Sequence, residues 1–329
     1  MWSSRIPNKP YLLYSVVAFN VFFWLILEIS GGSKNVYTLN DLGAINPASI
    51  YSGQYWRLFT AIFMHIGIMH LVVNTISIFI IGTMVDRFYG SKQFLFIYLV
   101  SGIVGSLSSY AFMSANTVGA GASGAVFGCL GALLSFFLIM RSVLGEFGRQ
   151  NFNAIALLAV FNLGFGFIVP GIDIWAHLGG LASGFLIGVP LTNKFQPAVA
   201  VNKSILHSNI LGCSYRSLIA IIVLVIFATV LMLVGNTRTG NTFQGQFIKA
   251  TNMYEKENFP QALKSVNMAI ESIEPNIIPE FFLLKAKIAL AQGNVPDGKK
   301  NLELAIYTGL SPSDREEAVT LLRSISRSY

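Results

Sequence analysis

Long apolar runs broken by short polar stretches fill the first 235 residues, without the tight alternation of strands or the single apolar stripe of a surface helix. Seven of these runs reach the roughly 17–25 residues that cross a bilayer as a helix. They lie at about 11–29, 68–85, 93–113, 123–140, 152–169, 174–192 and 217–234, and only the first holds an acidic residue, Glu28. That first run follows Arg5 and Lys9, as a secretory leader would. It exceeds the usual ~7–15-residue apolar core and lacks an A-x-A cleavage pattern, so it reads as a retained span.

Beyond residue 234 the pattern changes. Eleven Lys or Arg and ten Asp or Glu fall in 235–329, and the long apolar runs stop. The stretch NFPQALKSVNMAI (258–270) realigns with NVPDGKKNLELAI (294–306), pairing Phe259 with Val295, Pro260 with Pro296 and Ala269 with Ala305. A helix-pair period near 34 residues with small residues at packing positions resembles the tetratricopeptide repeat. Gly298 stands where Ala is expected opposite Ala262, and SPSDREEAVTLLRSI (311–325) opens with a helix cap and can supply a closing helix. The predicted organisation is a membrane domain at 1–237 and a small soluble helical-repeat domain at 242–329, all-α throughout.

Composition fixes the class. The chain is 53% hydrophobic and 11% charged with mean hydropathy +0.61, against about 45–50% and ~25% for soluble domains. The positive charge has a direction. One set of loops carries Arg5, Lys9, Arg87, Lys92, Arg141, Arg149, Lys194, Lys203 and Arg216, and the alternate set only Lys34 and Arg57. The first set is therefore cytoplasmic, which puts the N-terminus inside and the C-terminal domain outside. The two cysteines, Cys129 within a span and Cys213 in a cytoplasmic loop, imply no disulfide framework. No cofactor and no nucleic-acid partner are expected.

Polar residues inside the apolar runs carry the chemistry. GAGASGAVFG (119–128) matches G-x-G-x-x-G, but the glycines lead into an apolar span, position 144 is Leu rather than an acid, and no Gly-Lys-Ser/Thr follows. Dinucleotide and P-loop readings both fail. Small-residue helix packing remains open, since Gly121, Ala122, Ser123, Gly124 and Ala125 are all small. Of four histidines, His65 and His70 lie at the start of the second span and His177 at the start of the sixth. Ionisable side chains at membrane depth are costly and raise a functional hypothesis by default. With the N-terminus inside, even-numbered spans run inward from the outer face, so His70, Ser123 and His177 share one depth. Ser123 on the first turn of its helix has unpaired backbone N–H groups and the positive dipole end beside its hydroxyl, where an oxyanion would form. His70 and Asn74, four apart, share a helix face. Metal is disfavoured: there is no H-E-x-x-H, His65 and His70 diverge at i, i+5, and the relevant spans hold no carboxylate.

Together these pieces resemble the rhomboid intramembrane serine proteases. The matching residues are Tyr55-Trp56-Arg57, the pair His70 and Asn74 preceded by His65, Gly121-Ala122-Ser123-Gly124, and Ala176-His177-Leu178-Gly179-Gly180. In order and topology they span about residues 50–190. The resemblance implies a six-helix core plus one helix, with Ser123 as nucleophile and His177 as general base. His70, Asn74 and the Ser123 N–H would form the oxyanion hole, Phe127 would hold the imidazole, and His65 would brace the outer loop. Gly180 and Gly184 would let the fourth and sixth spans approach. It implies a dyad, with Asp173 a weak candidate for a third member. Substrates would be transmembrane helices of proteins in the same cell membrane, cut near their outer end and entering between the second and fifth spans. A protein partner could bind the C-terminal repeats. One departure is Asp86 and Gly90, where the family has Glu followed by Gly. A non-catalytic client-binding relative and a transporter are the competing classes; the first typically lacks the serine or histidine, and the second calls for broken helices around a midplane site.

Overall fold

The computed structural model describes residues 10–193 and 209–327. Arg5, Lys9, Lys194 and Lys203 of the charge count lie outside them. The described residues are helical, with one isolated antiparallel bridge between Ile45 and Gly119. The chain divides into two compact units, Met1–Gly235 and Asn236–Tyr329.

The first unit opens with α1 (Tyr11–Ile29). A loop region follows, built from three short helices, α2 (Val36–Leu42), α3 (Pro47–Tyr51) and α4 (Arg57–Thr60). Arg57 is buried at its centre. Its Nε donates to Gln54 Oε1 at 2.8 Å, its Nη1 donates to the carbonyls of Asn40 at 2.5 Å and Ala44 at 3.0 Å, and its guanidinium lies 4.9 Å from the Trp56 ring centre. A planar five-donor group can serve several acceptors at once, so one residue gathers a loop that has little apolar core of its own. Burial holds its pKa below the ordinary value, partly offset by Asp41.

The second long helix is α5 (Gly67–Ser77), a wide turn at Ile78–Gly82 with i→i+5 spacing, and α6 (Thr83–Tyr89). It outruns the expected 68–85 because Asp86 and Arg87 lower its apolarity without ending the helix. Gly90 ends it at φ +96, its N–H donating to the Asp86 carbonyl at 2.8 Å. Asp86 Oδ1 is buried without a hydrogen-bond partner among the described residues. Next come α7 (Ser91–Phe112), α8 (Ser123–Ile168), α9 (Ile174–Asn193) and α10 (Asn209–Gly240).

The 46-residue α8 is two helices run together across Gly145, at φ 56 and ψ −132, a conformation that only glycine enters at low cost. At 1.5 Å per residue the stretch would measure about 69 Å, over twice the ~30 Å hydrocarbon core. The expected loop between the fourth and fifth runs is thus helical on both sides of one glycine. Among the described residues six helices are long and apolar enough to cross a membrane, with α8 counted once. Phe94 and Tyr98 of α7 and Phe136 and Phe137 of α8 centre the buried core. Nine residues beyond Ser123 on α8, the Tyr89 hydroxyl meets the Ala132 carbonyl and, from α9, Thr192 Oγ1, each at 2.8 Å, tying α6, α8 and α9.

The second unit holds two helical hairpins and a last helix: α11 (Phe243–Glu255), α12 (Phe259–Glu271), α13 (Pro279–Ala291), α14 (Val295–Thr308) and α15 (Pro312–Arg327). The realigned stretches are α12 and α14, each capped by an asparagine, Asn258 and Asn294, with proline two residues on. Gly298 departs from alanine for a steric reason: an added Cβ would lie 2.4 Å from Leu290 Cδ2. Ser311 caps α15, its Oγ accepting from the Asp314 N–H at 3.3 Å and donating to Asp314 Oδ2 at 2.7 Å.

Candidate active site

Glycine brings the serine and histidine helices together. Lipid gives membrane helices no hydrophobic reason to associate, so close backbone contact must supply it. An added Cβ on Gly180 would lie 2.0 Å from the Gly124 carbonyl oxygen, one on Gly184 1.9 Å from that of Gly128, and one on Gly131 2.1 Å from that of Leu181. The seam between α8 and α9 therefore runs backbone on backbone. Helix α7 joins its upper end, where Gly105 would place a Cβ 2.9 Å from the Ala176 carbonyl oxygen. Ser123 immediately precedes Gly124 on one side, and His177 follows Ala176 on the other.

The segment entering α8 is clamped before the helix starts. Ile45 and Gly119 exchange backbone hydrogen bonds at 2.7 and 3.0 Å, and the Gly121 N–H donates to the Ala61 carbonyl at 2.9 Å. The loop region of α2–α4 thereby supports the serine turn. Gly121 sits at φ +141. The first i→i−4 bond of α8 joins the Val126 N–H to the Ala122 carbonyl at 3.0 Å, so helix geometry leaves the N–H groups of Ser123, Gly124 and Ala125 without an intrahelical acceptor.

His70 comes to the same point from α5. Its Nδ1 accepts from the Ile66 N–H at 3.3 Å, which leaves the proton on Nε2. A Cβ on Gly121 would lie 2.9 Å from that Nε2 and 3.8 Å from Ser123 Oγ. An N–H donor and the serine hydroxyl thus border one position, and only glycine leaves it open. Asn74 is buried below, its Nδ2 donating to the His70 carbonyl at 3.0 Å and keeping one N–H uncommitted there.

His177 is buried and lies flat on Phe127, ring centres 4.2 Å apart and planes 13° from parallel. Its Nδ1 has no hydrogen-bond partner among the described residues. Asp173 does not supply one: Oδ2 accepts from Ser109 Oγ and Oδ1 accepts from the Ala176 N–H at 3.0 Å. Burial raises the Asp173 pKa, and these hydrogen bonds pull it back down. His65 stands apart from the cleft. Its Nδ1 lies 3.2 Å from the Phe63 carbonyl oxygen and its ring meets His70 edge-on at 5.2 Å, so it packs behind the donor as a brace would. Burial, then the nearby His70, pushes its pKa down to about 3.

Gly121, Ser123, Gly124, Asp173, Ala176 and Ser106 line a small cleft. The serines of α7 are the residues that motif reading missed. Ser101, Ser106, Ser108 and Ser109 are all buried in an apolar span, and that polar run was the available signal.

The Rhomboid domain family matches residues 52–194. "Rhomboid protease GluP" of Bacillus subtilis (strain 168) is 44% identical over 192 residues, 57% of this chain and 37% of that one. "Putative rhomboid protease YdcA" of the same organism is 35% identical over 190 residues, 55% of this chain and 91% of YdcA. The chain belongs to the rhomboid family. "RHOMBOID-like protein 4" of Arabidopsis thaliana is 37% identical over 155 residues, 47% of this chain and 39% of that protein. The chain thus spans under two-fifths of the length of two of these three relatives. The rhomboid match encloses His65, His70, Asn74, Ser123, Phe127 and His177, and leaves α10 and the second compact unit outside.

Proposed function

We propose that this rhomboid is a serine endopeptidase that hydrolyses peptide bonds in or near transmembrane helices of other membrane proteins. The observation that carries the reading is the meeting of Ser123 Oγ and a protonated His70 Nε2 around Gly121, beside a buried His177 seated across the glycine seam. Ser123 Oγ attacks the scissile carbonyl and passes its proton to His177. The tetrahedral oxyanion accepts from the Ser123 N–H and His70 Nε2–H, with the spare Asn74 N–H as a third donor. His177 then protonates the departing amine, and water repeats the sequence on the acyl-enzyme. Two catalytic groups suffice, since Asp173 is committed elsewhere.

The same reading divides the chain into a protease domain at 1–237 and a repeat domain of tetratricopeptide type at 242–329. It takes α8 as two crossings and α10 as the seventh, in a cell membrane with the N-terminus cytoplasmic and the repeats outside. The clamped outer loop, the bilayer-length helices and the names of the relatives support it. A fluorophosphonate probe on the purified protein tests it: labelling is expected at Ser123 and lost in Ser123→Ala. Labelling that survives in Ser123→Ala would refute the nucleophile.

A further inference from the structure

Asp173 has no part in the proposed chemistry, yet it is the carboxylate of the cleft and is tied on three sides. Its Oδ1 accepts from the Ala176 N–H and its main-chain oxygen accepts from the His177 N–H at 3.2 Å, so it closes the first turn of α9. Its Oδ2 accepts from Ser109 Oγ of α7. Ser109 in turn lies beside the loop that leads to Ser123, where a Cβ on Gly119 would come within 3.4 Å of Ser109 Oγ, and Gly119 is the residue paired with Ile45. One side chain therefore links the histidine turn to α7, at the residue of α7 that lies beside the serine loop.

The imidazole needs such a link. His177 Nδ1 has no hydrogen-bond partner among the described residues, and Phe127 lies against the face of the ring. Stacking fixes the plane of a ring but resists sliding within that plane weakly. The depth of the imidazole relative to Ser123 must then come from the backbone of Ala176 and His177. We propose that Asp173 is the positioning residue of His177, setting its depth through hydrogen bonds accepted from Ala176 and Ser109 and not through its charge. This rests on the serine-protease reading above.

Charge and acceptance can be separated chemically. An asparagine keeps Oδ1 for the Ala176 N–H, and its amide N–H can donate to Ser109 Oγ, whose hydroxyl turns to suit. An alanine loses both. If Asp173 instead stabilised an imidazolium as a triad acid does, Asp173→Asn would lose about 10⁴ in kcat. A misplacement near 1 Å costs about 10²-fold in rate.

The test is cleavage of a transmembrane substrate by the full chain in proteoliposomes, with kcat and KM read separately from pH 6 to 9. Asp173→Ala is expected to lose about 10²-fold in kcat with KM within about twofold, and Asp173→Asn to recover to within about threefold of wild type at every pH. Asp173→Ala that folds and stays within threefold of wild type overturns the proposal, as does Asp173→Asn damaged as heavily as Asp173→Ala. Should Asp173→Ala fail to fold, Asp173→Asn and Ser109→Ala decide. Near-normal Asp173→Asn with a several-fold kcat loss and unchanged KM in Ser109→Ala supports it, and unchanged kcat in Ser109→Ala overturns it. Ser123→Ala in the same vesicles reports on the underlying reading alone: cleavage that persists there refutes the protease assignment whatever Asp173 does.

Discussion

Replacing Gly180 by alanine adds one methyl group where the two helices that carry the site run backbone on backbone. Its Cβ would lie 2.0 Å from the Gly124 carbonyl oxygen, where a carbon–oxygen contact needs about 3.3 Å. The obstacle is the backbone of the first turn of α8, so no rotamer change relieves it. The seam must open by about 1.3 Å at that level, and Ser123 and His177 sit directly above. A displacement of that size costs about 10²-fold in rate, while overpacking costs about 1–3 kcal/mol in stability. Activity should therefore fall far more than folding. Gly124→Ala, whose Cβ would be 3.2 Å from the Ala176 carbonyl oxygen, should lose less. Gly164→Ala, with nothing within 4 Å, should lose nothing and gain slightly from reduced chain entropy. Cleavage of a transmembrane substrate in proteoliposomes, with thermal unfolding in detergent, measures both quantities on all three. A folded Gly180→Ala with kcat within twofold of wild type would refute the argument that the seam sets the site.

Three further outcomes follow from the same geometry. Gly121→Ala should abolish cleavage, because its Cβ would lie 2.8 Å from His70 Cε1 at a φ of +141 that alanine rarely adopts; kcat within tenfold of wild type would count against His70 as an oxyanion donor. His65 ordinarily titrates near 6.5 and is held to about 3 mainly by burial. The unfolded chain takes up a proton that the fold refuses, so this stability is complete above about pH 6.5 and lost as pH falls toward 3, by up to ~1.4 kcal/mol per unit. His65→Asn, which keeps a donor for the Phe63 carbonyl, should flatten the decline of the unfolding temperature between pH 7 and 5, and an unchanged decline would assign it to other groups. Deleting 242–329 should leave cleavage of a bare transmembrane peptide nearly unchanged and raise the apparent KM for a full-length client through lost effective concentration; equal losses on both would point to a structural tail.

Features with local rules were legible in the sequence. Apolar run length located the spans, the realigned stretches 258–270 and 294–306 located α12 and α14, and Phe127, one turn beyond Ser123, is stacked on His177. The departures come from relations that sequence spacing does not encode. The polar stretch 141–151 reads as a loop between two runs, but helix continues on both sides of Gly145, whose φ and ψ alone break it. Arg57 gathers carbonyls 13 and 17 residues away, which reads in sequence only as a lone cation in an outer loop. Asp173 lies one turn before His177 in sequence, but its side chain accepts from the Ala176 N–H and from Ser109, 64 residues earlier on another helix. A carboxylate near a histidine in sequence is ambiguous until the competing acceptor sites are known.

The central claim is that Ser123 and His177 act as one catalytic unit. Single-turnover cleavage by Ser123→Ala, His177→Ala and the double variant tests it most directly, because residues that work together are non-additive. Each single variant should fall to the residual rate, with wild-type unfolding temperature within a few degrees, and the double variant should be no slower than either. Substantial cleavage by either folded single variant, or a double variant slower by the product of the two losses, would contradict the account.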